Sequence, residues 1–242
     1  MLRTIFLNAL IHKIKKRRYN SCKEVSELKV YCNRTSGVFN AGEIPFDANL
    51  ALFGFNGLKK ISYKNELQGV DGNLSEFAQL TKNTDRVLLT GAITDNYGII
   101  KRSAIISERG KLLGISDMNV KIDPSGYGLG GGRRVYQTIV GRIGVLISDD
   151  LIDFEGVKAM SLCDADLIVA VLPEGDKPQY DFIVRAYAYL FGVPIVLICE
   201  SGVMAADMNG EICGASRESE ATLFIPAKKN YRTLSLKRRG VK

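Results

Sequence analysis

The run "DLIVAVLP", residues 166–173, constrains the fold more than any other stretch. Its unbroken apolar centre, Leu167 to Leu172, fits a strand covered on both faces, because a half-wet strand alternates apolar with polar residues. Two similar runs flank it, "VGRIGVLIS" at 140–148 and "VPIVLICES" at 193–201. Between the three lie helical patterns, "FEGVKAMSLC" and "YDFIVRAYAYLFG", the second closed by Gly192. Upstream, "NLALFGF" and "RVLLTGAI" read as strands and "LSEFAQLTKN" as a helix. "RSAIISERGKLLGISDM" reads as a hairpin turning at Glu108-Arg109-Gly110. Asn209-Gly210 carries a type I′ turn signal, and "EATLFIPA" is a last strand. Hairpins mixed with strand–helix–strand units predict an α/β chain with a mixed sheet, or two packed sheets, and helices outside.

The start is ambiguous. "TIFLNAL" fits a strand, followed by a helix from the capping-box spacing at Ser21 through Val25, Leu28 and Cys32. The alternative is a helix over about residues 2–18 and a strand at "LKVYCN". The first reading is preferred. The segment "RTSGVFNAGEIPFD" reads as a loop.

A chain of 242 residues suits one domain, 1–242. No apolar run reaches the roughly 18 residues of a membrane span. Five cysteines, odd in number and without a CxxC pair, argue against a disulfide framework and for a cytoplasmic protein. The single histidine, His12, leaves almost nothing for a Ser-His-Asp triad or a His-rich metal site. No metal or cofactor is implied. The net charge of +7 comes from the ends: Lys13 to Arg18 and the tail 228–242 carry twelve basic residues and no acid, so the remainder is net acidic. Neither end interleaves aromatics as a stacking surface does, so both read as solvated segments, with a nucleic-acid contact through them as the weaker alternative.

The chain from about 48 to 227 resembles the carbon–nitrogen hydrolase (nitrilase) family. "GRIGVLISDDLIDFEGVKAMSLCDADLIVAVLPEG" is similar to that family's G-R-I-G-V-x-I-C-Y-D-x-x-F-P-E, helix and G-A-D-L-I-V. "VRAYAYLFGVPIVLICESG" and "NGEICGASRESEATLFIPA" are similar to its later segments, and "VLLTGAITDNYGIIKRSAIISERGKLLGISDMN" to the segment ending in its lysine strand. Residues 1–47 are divergent. The resemblance implies a four-layer α-β-β-α sandwich, homodimers or larger assemblies, and hydrolysis of amides, nitriles or carbamoyl groups by glutamate, lysine and cysteine. A cysteine thiol ionises readily when a carboxylate takes its proton, and the lysine stabilises the oxyanion.

At all three positions the likeness breaks: Phe55 stands for the glutamate, Asp117 for the lysine and Ser148 for the cysteine. A serine hydroxyl needs an adjacent base, and Asp117 or Asp149 is a poor one. A carboxylate at Asp117, about 4 Å from a developing oxyanion, costs about 4 kcal/mol at an effective dielectric of 20. The expectation is therefore an inactive scaffold that binds a small ligand or a protein partner around Asp117, Ser148, Asp149, Cys199 and Glu200. A rearranged amide hydrolase is the alternative. Asp117, Asp149, Asp150 and Glu155 could instead ring the pocket and hold a cation or a basic ligand; the plainer reading is structural. "GYGLGGGRR" lacks the lysine and helix of a P-loop and reads as a lid.

Overall fold

The computed structural model describes residues 27–40, 44–55, 57–58, 60–122, 126–173 and 178–226. The readings at "TIFLNAL" and Ser21 and the basic ends lie outside them. Strand β1, Glu27–Asn33, replaces the helix expected through Leu28 and Cys32. Its spacing fits a helix, but the segment is sandwiched in a sheet between β2 (Leu50–Phe53), parallel, and β13 (Glu220–Pro226), antiparallel. Tertiary pairing overrides a short periodic signal.

The first sheet continues from β2 to β4 (Val87–Asn96), β5 (Ile99–Glu108) and β6 (Lys111–Asp117). Strand β3 (Lys60–Ser62) pairs with the far end of β4. The hairpin expected at Arg109-Gly110 forms, with φ of 50° and 74°, both positive as a type I′ turn requires. Helices α1 (Tyr63–Leu67) and α2 (Asn73–Gln79) cover the outer face with Phe77, over Leu88 and Ile105.

The second sheet runs β12-β11-β10-β9-β8-β7, with β7 at Val135–Thr138, β8 at Gly141–Ile147 and β9 at Leu167–Val171. Strands β10 (Ile195–Cys199), β11 (Gly202–Ala206) and β12 (Ile212–Ser216) complete it. The three apolar runs are its parallel centre, β8, β9 and β10. Helices α3 (Phe154–Leu162) and α4 (Pro178–Phe191) pack on its outer side against Leu146, Ile168 and Leu197. Gly192, φ 64°, closes α4, and its N–H reaches Ala188 O.

The turn at Asn209-Gly210 departs from the type I′ expectation. Only Gly210 has a positive φ, 76°. Asp207 accepts from the N–H groups of Asn209 and Glu211 at 2.8 and 3.0 Å, and this side-chain turn fixes the loop instead.

The inner faces of the two sheets meet in one cluster, with Val30, Leu52, Leu89, Ala104 and Ile106 opposite Val145, Ile147, Val169 and Ile198. With helices on both outsides, the layers read α-β-β-α.

Candidate functional site

Strand β8 delivers Ser148. Val145 and Ile147 point between the sheets, so alternation would send residue 148 toward α3. The backbone breaks the alternation: Ser148 has φ 53°, a left-handed conformation that costs a non-glycine about 1–3 kcal/mol. A short 3-10 turn, Ser148–Ile152, follows. The hydroxyl, in a residue only 4% exposed, then accepts a hydrogen bond from Arg102 Nη1 at 2.7 Å.

Arg102 comes from the other sheet. Ala104 and Ile106 face inward on β5, so Arg102 shares that face and bridges the gap to β8. Its guanidinium carbon lies 4.6 Å from the centre of the Tyr127 ring. The loop bearing Tyr127 is pinned by Gly128 N–H to Ile100 O and Gly130 N–H to Met118 O, at 2.8 and 2.7 Å. The described part of the glycine-rich segment is thus tied to β5 and β6, which leaves little of the expected lid.

Phe55 follows β2 and packs against the inter-sheet cluster. A Cβ at Gly91 would lie 2.8 Å from its ring and 3.0 Å from Val171, so the missing side chain makes room for the ring. Because β9 places Val171 opposite Ile147, Phe55 stands in the same end of the cleft as Ser148.

Asp117 does not. It pairs with Lys101 Nζ and accepts from Ser103 Oγ, both at 2.8 Å, and Ser103 in turn meets Thr94 Oγ1 at 2.7 Å. These residues share the outer face with Ile105. The cause is a register shift between Ile106 and Ser107, opposite Leu112 to Gly114, which reverses the alternation along β6. Met118, fully buried between the sheets, is the inward residue there. The expected repulsion between Asp117 and an oxyanion therefore has no geometric basis.

The remaining acids are held by the backbone. Asp150 is fully buried and accepts from Asn119 N and Val120 N at 2.8 Å and from Ile147 N at 3.4 Å. Burial pushes its pKa up from the ordinary carboxylate value, and the three N–H groups pull it back. Asp149 accepts from Ile122 N. Glu155 pairs with Lys158 at the surface. Cys199 lies in the outer cluster beneath α4, its sulfur 3.3 Å from Ser201 Oγ. Glu200 is exposed, and its carbonyl accepts from Arg34. Of the expected site residues, Phe55, Ser148 and Asp149 come together, whereas Asp117, Cys199 and Glu200 lie apart from them. Among the described residues no carboxylate or imidazole hydrogen-bonds Ser148 Oγ, and no three potential metal ligands cluster.

A cavity of about 350 Å³ opens between β7, β8 and α3, lined by Arg133, Gln137, Arg142, Met160 and Cys163. Its guanidiniums already pair with Asp153 and Asp164, and it holds no nucleophile with a base beside it. The better candidate is the group of Arg102, Ser148 and Phe55 at the end of the inter-sheet core.

Two packed sheets with helices outside match the nitrilase-like fold of solved structures. A carbon–nitrogen hydrolase from Helicobacter pylori superposes with a TM-score of 0.69 at 14% identity, covering 89% of this chain and 93% of its own. An amidase of the nitrilase superfamily from Nesterenkonia gives 0.69 at 14% identity, covering 91% and 97%. A Saccharomyces cerevisiae member of that superfamily gives 0.66 at 15% identity, covering 91% and 97%. In a mutant of the Nesterenkonia amidase, the acetamide moiety of fluoroacetamide adds covalently at the active site cysteine. No family model and no curated protein matches the sequence.

Proposed function

We propose that this chain is a catalytically silent protein built on the carbon–nitrogen hydrolase fold, binding a small ligand in the cleft beside Ser148. One observation carries the reading: Ser148 Oγ is held by a guanidinium. Arginine stays protonated and cannot take the hydroxyl proton, and Phe55 cannot either. Without a base a serine is a poor nucleophile. Phe55 fills space with an apolar ring where the resembled enzymes carry an acid.

The molecule pairs with a second copy through its outer helices. Phe154 and Leu162 on α3 and Phe182, Tyr189 and Leu190 on α4 are exposed apolar side chains on neighbouring elements, a concentration typical of an interface. The thiols of Cys32, Cys163, Cys199 and Cys213 are unpaired, which suits a cytoplasmic protein. No helix among the described residues is long and apolar enough to cross a membrane.

A second reading draws on the Arg102–Ser148 contact itself. A cation at that distance suits an oxyanion, so a serine-based amide hydrolase with Arg102 in the stabilising role is the competitor. Ammonia release from a panel of amides, nitriles and carbamoyl compounds separates the two. The silent reading expects none; turnover that disappears in Ser148→Ala establishes the competitor.

A further inference from the structure

A second site lies away from Ser148, in the cavity of about 350 Å³ between β7, β8 and α3. Val135 and Leu146 pack with the outer cluster, so alternation puts Gln137 on that face of β7 and Arg142 on that face of β8. Helix α3 covers this floor with Ala159, Met160 and Cys163. Two guanidiniums mark the ends. Arg133 pairs with Asp153, which precedes α3, and Arg142 pairs with Asp164, which follows it. The nine helical residues between those acids rise roughly 13 Å. The middle of the cavity is apolar, lined by Val135, Ala159 and Met160.

Each arginine spends only part of its donor fork. Arg133 gives Nη2 to Asp153. Arg142 gives Nε to Gln137 Oε1 at 3.2 Å, and Nη1 to Asp164 and to the Cys163 carbonyl at 3.1 and 3.4 Å. Among the described residues, Arg133 Nη1 and Arg142 Nη2 have no acceptor, and neither Asp153 nor Asp164 lines the cavity. The acids therefore fix the guanidiniums and leave N–H groups for a ligand carboxylate. Gly156 makes room for one of them. A Cβ there would stand 2.8 Å from Arg133 Cζ, so a residue that weakens a helix interior is what lets the guanidinium lie on the first turn of α3. We infer that this cavity binds a linear dicarboxylate, one carboxylate on each guanidinium and its methylene chain along Val135, Ala159 and Met160. A cation at each end of an apolar channel selects such an anion over a monoacid or a compact anion. The site lies on the outer side of the second sheet, so it stands whether or not Ser148 reacts.

Calorimetric titration of the full chain compares octanedioate with octanoate, which lacks the second charge, and with succinate, which is too short to reach both ends. Octanedioate is expected to bind saturably and at least tenfold tighter than either. Saturating octanedioate is also expected to slow iodoacetamide alkylation of the exposed Cys163 at least fivefold, read by peptide mapping, which ties the binding to this cavity and not to the basic ends. Arg133→Gln and Arg142→Gln, each shown to be folded by thermal melting, are expected to bring octanedioate down to the affinity of octanoate. Gly156→Ala, which displaces the Arg133 guanidinium without removing it, is expected to weaken octanedioate at least threefold. No saturable octanedioate binding to the wild type, octanoate or succinate binding as tightly, or unchanged Cys163 alkylation overturns the assignment. These three readouts use the wild-type protein, so they decide the matter even if a variant unfolds.

Discussion

Arg102 on one sheet and Ser148 on the other are joined across the gap by a single 2.7 Å hydrogen bond from guanidinium to hydroxyl. The left-handed backbone at Ser148 aims the side chain into the cleft, and the cation occupies it. The scaffold thus keeps a strained position at the end of β8, where among the described residues no carboxylate or imidazole hydrogen-bonds Ser148 Oγ. Five measurable consequences follow from this arrangement and from the contacts around it.

Replacing Ser148 with cysteine places a thiol beside a fixed cation. The positive charge favours the thiolate and lowers its pKa relative to the same thiol without Arg102. The Ser148→Cys protein is expected to alkylate with iodoacetamide at pH 7 at least tenfold faster at that residue than the Ser148→Cys, Arg102→Gln double variant. Peptide mass mapping separates this site from the exposed Cys163. Cys32, whose burial pushes its thiol up to about 12, stays unlabelled.

Asp150 ties the end of β6 to the end of β8 through three backbone donors. Asp150→Ala leaves those donors unsatisfied and is expected to cost about 3 kcal/mol in denaturant unfolding. Asp150→Asn keeps one acceptor for Asn119 and Val120 and is expected to cost less. The pH dependence has a definite sign. A buried carboxyl with a raised pKa holds its proton more tightly when folded, so its stabilising contribution is full below the unfolded value and falls as pH rises through the folded one. The stability advantage of wild type over Asp150→Asn should therefore shrink as pH rises above the unfolded carboxyl value of about 4.

Gly91 and Phe55 compete for one volume. A methyl at residue 91 would press on the ring at 2.8 Å, so Gly91→Ala is expected to destabilise by about 1–3 kcal/mol. Adding Phe55→Leu should recover much of that loss, a coupling that a double-mutant cycle measures. Additive losses would show that the ring does not rest on Gly91.

Phe182, 71% exposed on α4, lies within the apolar surface assigned to self-association. Phe182→Glu is expected to convert a dimer to a monomer in sedimentation velocity without changing the melting temperature of the isolated subunit. An unchanged dimer moves the interface off α4.

The sequence displayed some of this plainly. Residues 143–147, 167–171 and 195–199 are apolar on both faces because they form the parallel centre of a covered sheet, and their composition says so. Strand β1 matches the alternative strand at "LKVYCN" and not the preferred helix, because Val25, Leu28 and Cys32 also fall at helical intervals and only pairing with β2 and β13 decides the matter. Ser148 stood out as a polar end to an apolar run. Arg102 did not, since one arginine in "IIKRSAII" resembles a solvated residue; its signal was an even spacing from Ala104 and Ile106, which face inward. The outer placement of Asp117 is not legible in the sequence, because simple alternation along β6 cannot anticipate the register shift opposite Ile106 and Ser107.

The most direct measurement of the central claim is intact mass after exposure to a fluorophosphonate, which phosphonylates activated serine hydroxyls. With Arg102 holding Ser148 Oγ and no base among the described residues hydrogen-bonded to it, the wild-type protein should keep its unmodified mass. A single adduct mapped to Ser148, and absent from Ser148→Ala, would contradict the account.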